Sequence, residues 1–225
     1  ALAMADVAQV SGKEFIAAVV AGYDVIIRLG RALKGAEHYA RGFHPTGTCG
    51  AFGAAAVAGR LLGLKDDSFV HALGIAGSQT SGSMEYLAQG AWTKRLHPGW
   101  ASHSGIWAAL LAKAGYTGPT TILEGRDGFL QAYSGDPDPS LVLEDLGVEY
   151  QITRTSVKPH TCCRYKQGPI DCQIGLRNSY GISPMDIAEV RVGVRSAGMK
   201  LVSDPIGAKR APVSVVDMQF SIPFG

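Results

Sequence analysis

The chain has 225 residues, of which 46% are hydrophobic and 18% are charged, with 21 Lys or Arg against 19 Asp or Glu. This apolar content supports a packed core in one or two domains and excludes a disordered chain. The scattered charge excludes a basic nucleic-acid-binding stripe, and four cysteines are too few for a disulfide scaffold. The apolar runs are shorter than the roughly 20 residues of a membrane span, and no signal peptide is visible. We therefore expect a soluble cytoplasmic protein, or a mitochondrial one in a eukaryote, with no nucleic-acid or membrane partner.

Residues 1–147 have the pattern of an all-helical domain. Apolar residues three and four apart predict a helix over residues 13–33, and a ridge of small residues predicts a second over 46–62 with Thr46 or Thr48 as its N-cap. A third helix is predicted from Asp66 to Ala76. A fourth is predicted to begin at Gly99 or Ser102 and to stop at Gly115. We expect a mainly α fold.

Residues 148–225 have a mixed pattern. Apolar and polar residues alternate over 148–152 and over 190–194, which predicts two strands, and residues 164–180 between them predict a helix. A turn-rich segment at 135–139 precedes this region as a linker. We therefore expect a smaller α+β lid domain after the helical one. Residues 148–225 contain ten Lys or Arg and six Asp or Glu, which would suit an anionic substrate in a cleft between domains, although random scatter explains the excess equally well.

The segment from Gly42 to Thr48 is the first candidate for chemistry. It places His44 just ahead of a predicted helix N-terminus, where backbone N–H groups and the hydroxyls of Thr46 and Thr48 could hold an anion. His44 could then exchange a proton with a carboxylate-bearing substrate. A loop histidine with an ordinary hydrogen bond is the alternative, and the pattern alone favours it.

A second candidate is the segment from Thr93 to Trp100, which we expect to be a loop ahead of a helix. Lys94 and His97 are three residues apart and could reach one side of a turn. A lysine screened from water beside basic neighbours can have its pKa lowered enough to act as a base. A solvated basic loop is equally consistent with the spacing.

A third candidate runs from Val157 to Tyr165. Lys158 and Arg164 there could bind carboxylates, Arg164 through its bidentate fork, or could be solvated surface charges. The adjacent Cys162 and Cys163 lack the spacing of a zinc or iron–sulfur site, and no His pair has metal-ligand spacing. The residues therefore predict no metal site.

Together, several of these segments resemble the MmgE/PrpD family, the 2-methylcitrate dehydratase-like proteins. The resemblance covers nearly the whole chain. Its matching segments are Arg41-Gly42-Phe43-His44-Pro45-Thr46-Gly47-Thr48 continued to Ala55, Ala72 to Gln79, Thr93-Lys94-Arg95-Leu96-His97-Pro98-Gly99-Trp100-Ala101, Tyr116-Thr117-Gly118-Pro119 with Leu123-Glu124-Gly125, and Lys158-Pro159 through Cys162-Cys163-Arg164-Tyr165.

This resemblance implies a large helical domain, a smaller α+β lid, an active site in the cleft between them, and a homodimer. It also implies proton transfer next to a carboxylate of a small di- or tricarboxylate, without metal or organic cofactor. The reaction expected first is 2-methylcitrate dehydration, as in propionate metabolism, with cis-aconitate decarboxylation and iminodisuccinate epimerisation as alternatives. His44 and Lys94 match the family's catalytic histidine and lysine, and Lys158 matches its substrate-binding lysine. Thr46, His97 and Arg164 are the further residues expected to bind substrate.

The chain also departs from the family pattern. The family's early acidic and histidine motifs lie upstream of Ala1, so we expect the chain to be part of a longer polypeptide. Phe224 stands where many members have an aromatic hydroxyl, and Lys166-Gln167 where members often have Thr-His. Since neither Phe224 nor Gln167 can move a proton, a non-catalytic polycarboxylate-binding protein is the rival expectation.

Overall fold

The computed structural model describes all 225 residues, and α-helix is its main regular structure. The thirteen α-helices are α1 (Leu2–Ala8), α2 (Gly12–Ala32), α3 (Gly35–Ala40), α4 (Pro45–Leu61), α5 (Asp66–Gly77), α6 (Tyr86–Gln89), α7 (Thr93–Lys113), α8 (Phe129–Tyr133), α9 (Ser140–Leu143), α10 (Arg164–Tyr180), α11 (Ser196–Val202), α12 (Ile206–Arg210) and α13 (Val215–Gln219). Short 3₁₀ helices cover Gln151–Arg154 and Pro184–Asp186. The only β pairing is an isolated antiparallel bridge between Phe43 and Ser83. None of the helices has the length and apolarity needed to cross a membrane.

The chain folds into two compact units. Unit 1 comprises residues 1–84 and 93–155, and unit 2 comprises residues 85–92 and 156–225. The hydrophobic core of unit 1 is built from alanines and a few larger side chains of α2, α4, α5, α7 and α8, including Leu29, Phe52 and Phe129.

Helix α4 lies at the centre of unit 1, where α2 and α7 both pack closely against it. Glycines make this approach possible. A methyl group added at Gly105 of α7 would lie 2.4 Å from Cβ of Ala54 and 2.5 Å from the backbone nitrogen of Ala55. On the α2 side, a methyl group at Gly53 would lie 2.2 Å from the Ile26 side chain. The small-residue ridge of α4 therefore sets the separation of its neighbours.

Helix α2 begins at a capping box. The Ser11 hydroxyl accepts the Glu14 N–H, and the Glu14 carboxylate accepts the Ser11 N–H. Farther along α2, the buried Arg28 donates to Asp24 at 2.7 Å and to the carbonyl of Glu149 at 3.0 Å, and also to the Glu144 carbonyl. This single guanidinium therefore fastens the segment after α9 onto α2.

The predicted helices at 13–33, 46–62, 66–76 and 164–180 are confirmed as α2, α4, α5 and α10, with bounds shifted by at most one residue. The predicted start of the fourth helix is wrong, because α7 begins at Thr93 and continues through Pro98. Proline has no N–H to donate to the carbonyl four residues earlier, which made residue 98 resemble a helix boundary. The predicted N-cap of this helix, Thr46 or Thr48, is also wrong, since His44 is the N-cap of α4 and Pro45 is its first residue.

Both predicted strands, and with them the β part of the expected lid, are wrong. At 148–152 the backbone groups bond to side chains of α2 instead of to a neighbouring strand. The Gln151 N–H donates to Asp24 at 2.8 Å, and the Glu149 carbonyl accepts from Arg28. Residues 190–194 form neither a helix nor a strand, and Val190 is 65% exposed. Alternation of apolar and polar residues describes a strand only where a second segment completes the hydrogen bonds.

Unit 2 is organised around the first turns of α10. Lys166 is buried and donates to the Met218 carbonyl at 2.9 Å, and the Cys163 N–H donates to the Gln219 carbonyl at 2.9 Å. These bonds tie the start of α10 to the end of α13. The buried Lys209 makes a similar bond, donating to the Leu201 carbonyl at 2.8 Å.

We expect Gly105→Ala to destabilise unit 1 by about 1–3 kcal/mol, because the added methyl group must displace backbone of α4. Gly99→Ala, on the same helix, is the matched control. A methyl group at Gly99 meets nothing within 4 Å, so this change should be neutral or stabilising by up to about 1 kcal/mol. Urea unfolding of both variants measures the difference. Equal stabilities would contradict the packing described for α4 and α7.

Candidate active site

His44 is held at the N-terminus of α4 by a pair of short chain segments. Its N–H donates to the Gly82 carbonyl at 2.8 Å, and the Met84 N–H donates to the Gly42 carbonyl at 2.8 Å. Gly42 and Gly82 have φ values of 78° and 138°, a region that side-chain-bearing residues rarely adopt. The backbone path that positions His44 therefore requires glycine at both positions.

The first turn of α4 is less open to an anion than the sequence suggests. The N–H groups of Gly47 and Thr48 both donate to the His44 carbonyl, and Pro45 has no N–H. Thr48 is buried, with its hydroxyl 3.0 Å from Nε2 of His38, whereas Thr46 is exposed. The expected convergence of both threonine hydroxyls on an anion is therefore wrong for Thr48, while substrate binding by Thr46 stays a prediction.

His44 and His97 form the centre of the candidate site. Their Nδ1 atoms are 2.8 Å apart, and their ring centroids are 5.1 Å apart with an interplanar angle of 47°. His97 lies in the second turn of α7, and Lys94 lies one turn earlier on the same helix. Because α7 packs against α4, two histidines separated by 53 residues meet.

The electrostatic surroundings keep His44 uncharged. Burial is the main cause that lowers its pKa from 6.5 to about 4, and the positive charges of His97, Lys94 and His38 contribute further. Burial and the Lys94 charge also lower the pKa of His97. At neutral pH the site therefore presents an imidazole able to accept a proton, close to a lysine cation.

His38 also acts on His44 through its charge, and no motif of the sequence indicates it. It is fully buried, with Nδ1 2.8 Å from the Tyr133 carbonyl and Nε2 3.0 Å from the Thr48 hydroxyl. Since a carbonyl only accepts, Nδ1 of His38 carries the hydrogen. Burial lowers the pKa of His38 as well. Its helix, α3, has only six residues, too few for a periodic signal that could have identified it.

The remaining predicted site residues, Lys158 and Arg164, belong to unit 2 and are exposed. Lys158 lies in a loop, and Arg164 is the first residue of α10. Their role as carboxylate binders stays a prediction. The departure at Gln167 has a structural explanation: its amide donates to the His160 carbonyl at 3.0 Å and accepts the His160 N–H at 3.0 Å, which folds the loop before α10. No group of three or more His, Cys, Asp or Glu side chains is arranged to hold a metal ion.

Residues 1–142 match the family model of the MmgE/PrpD N-terminal domain. The chain belongs to the MmgE/PrpD family. It is 35% identical over 178 residues to a cis-aconitate decarboxylase-like protein, oryM, of Aspergillus oryzae, and 32% identical over 178 residues to the cis-aconitate decarboxylase of Aspergillus terreus. Each match covers 76% of this chain but only 37% and 36% of the relative. The human cis-aconitate decarboxylase is 36% identical over 124 residues, which are 55% of this chain and 25% of that protein.

This match includes His44, Lys94 and His97, which all lie within residues 1–142. The family expected from the sequence motifs is thereby confirmed. The chain spans little more than a third of the length of the two Aspergillus relatives.

The lowered pKa of His44 predicts how stability depends on pH. An unfolded chain binds a proton on this histidine near pH 6.5, whereas the folded chain does so only near pH 4. The contribution of His44 to the free energy of unfolding is therefore fully present above pH 6.5 and is lost as the pH falls towards 4. We expect the wild type to lose more free energy of unfolding than His44→Gln between pH about 7.5 and pH about 5. Urea unfolding at both pH values measures this. His38 is common to both proteins, and equal losses would contradict the burial of His44.

Proposed function

We propose that the protein is a lyase acting on a small di- or tricarboxylate without metal or organic cofactor, with decarboxylation of cis-aconitate as the first candidate. The observation that carries the proposal is the uncharged His44 beside the Lys94 cation at the N-termini of two packed helices. The names of the relatives favour decarboxylation over the dehydration of 2-methylcitrate that the motifs first suggested.

The proposed chemistry needs two kinds of group. Loss of CO₂ breaks a carbon–carbon bond and leaves an electron pair on carbon, which must then receive a proton. Dehydration instead removes a proton next to a carboxylate and protonates the leaving hydroxyl. Decarboxylation therefore needs a proton donor, whereas dehydration needs an acid and a base with separated pKa values, and both reactions need positive charge that holds the carboxylates.

The residues of unit 1 can supply these roles. The Lys94 cation attracts a carboxylate, and so does the positive N-terminal end of α4, a helix of 17 residues. His44 stays uncharged at neutral pH and can accept a proton. His44 or Lys94 therefore moves the proton in this proposal. Lys158, Arg164 and Thr46 are proposed to bind carboxylates, and the whole protein is proposed to form a homodimer.

A panel of four acids tests the proposal after exhaustive chelation of the protein. Cis-aconitate, 2-methylcitrate, citrate and iminodisuccinate are incubated separately, and their conversion is followed by ¹H NMR. We expect cis-aconitate to be consumed with release of CO₂. Conversion of 2-methylcitrate or iminodisuccinate instead would reassign the reaction within the family. Binding without conversion would support the non-catalytic rival, and activity restored only by iron would contradict the cofactor-free chemistry.

Lys94→Met tests the lysine itself. Removing the amine while keeping the bulk should lower kcat by a factor of about 10² to 10⁴. Since Lys94 is half-buried near the start of α7, stability should change by no more than about 0.5 kcal/mol.

Lys113→Met is the matched control, because Lys113 is the exposed last residue of α7. It makes the same chemical change at the opposite end of the helix and should leave kcat unaltered. Near-normal turnover of Lys94→Met, together with a lower melting temperature, would mean that Lys94 is a structural residue.

A further inference from the structure

We propose that His97 is a positioning residue for His44: it takes up the proton that the pair gains in acid, and its Nδ1–H then holds His44 neutral with its own hydrogen on Nε2. The proposal deepens the proposed function, because it takes His44 as the group that faces substrate. His97 itself need not touch substrate, in contrast to the substrate-binding role expected from the sequence.

The geometry limits the number of protons that the pair can hold. A hydrogen bond between two ring nitrogens 2.8 Å apart needs one N–H and one lone pair. If both rings were imidazolium, two Nδ1–H groups would point at each other. The pair can therefore gain one proton beyond its neutral state while this bond persists, but not two.

The surroundings decide which ring takes that proton. His97 and Lys94 from α7 and His38 from α3 each disfavour a cation on His44. Burial disfavours it most strongly. Burial and Lys94 also disfavour a cation on His97, but His97 is the less deeply buried of the two rings. The first proton therefore goes to His97.

Protonation of His97 has a defined consequence for His44. The imidazolium carries hydrogens on both nitrogens, so its Nδ1 can only donate. Nδ1 of His44 must then accept, which leaves the single hydrogen of His44 on Nε2. The charged His97 thus sets both the charge and the tautomer of His44, which in this state can donate a proton from Nε2 but cannot accept one, whereas the neutral pair at higher pH retains a proton acceptor.

The test is an NMR titration of the imidazoles in the labelled 225-residue chain, from pH about 8 down to pH about 4. We expect His97 to titrate before His44. Long-range ¹H–¹⁵N couplings should show the His44 hydrogen on Nε2 while His97 is charged. Titration of His44 first, or a His44 hydrogen on Nδ1 in that state, would overturn the proposal. This measurement needs neither a variant nor a substrate.

A pair of variants adds a second readout. His97→Gln removes the positive charge next to His44, so the pKa of His44 should rise by about 1 unit. His103→Gln removes an exposed imidazole from the same helix, stacked on Trp100, and should leave the His44 titration unchanged. An unaltered His44 pKa in His97→Gln would contradict the coupling.

The two proposals can fail separately. If the histidines titrate as expected but no acid of the panel is converted, the proposed lyase function fails and the coupling of the pair stands. If an acid is converted with His44 as proton acceptor, the acid limb of kcat should follow the His97 titration in the wild type and the His44 titration in His97→Gln. An acid limb that follows the His44 titration in both proteins would overturn the role of His97 and leave the lyase function in place.

Discussion

The backbone-to-backbone approach of α4 to α7 is the constraint on which the rest of unit 1 depends. Gly105 lies so close to Ala54 and Ala55 that a single methyl group has no room between the helices. The same closeness continues to the N-terminal end of α4, where Gly47 lies against Ser81 and Gly82. Rigid helices at this separation can place His44 and His97 at hydrogen-bond distance, which two loops could not do as reliably. The small side chains of α4 therefore help to bring His44 and His97 together.

The same packing explains the unusual charge state of the site. Bringing helix starts together concentrates positive dipole ends, and the chain adds the charge of Lys94 to them. An imidazole in such surroundings stays neutral, because a further positive charge is costly there. The resulting site combines a neutral proton acceptor with a strongly positive environment, a combination suited to molecules that bring several negative charges with them.

Helix periodicity in the sequence was sufficient to predict most of unit 1. The apolar spacing of α2 and α10 survives in the structure because each helix is long enough for its pattern to be unambiguous. The alternation of apolar and polar residues at 148–152 wrongly predicted a strand, because Asp24 and Arg28 bind the backbone groups that a neighbouring strand would have bound. No local pattern could reveal that competition, because it depends on side chains more than a hundred residues away.

The candidate site was predictable in its members but not in its geometry. The motifs indicated His44, Lys94 and His97, and the structure brings the two histidines into direct contact. Pro98 made the second motif resemble a loop, so the shared helix of Lys94 and His97 was missed. The bond between the histidines joins two helices, and sequence spacing contains no information on how these helices pack.

The side-chain amide of Gln167 holds the loop before α10 through two hydrogen bonds to one residue. Its oxygen and nitrogen lie side by side on one carbon, so they match the N–H and carbonyl of a single residue, His160. The two nitrogens of an imidazole point away from each other and cannot reproduce that fork. Placing a histidine at this position, as the family resemblance leads us to expect there, would therefore free the loop ahead of α10 instead of simply adding a proton carrier. Any exchange of residues between this chain and its relatives at position 167 has to include the loop.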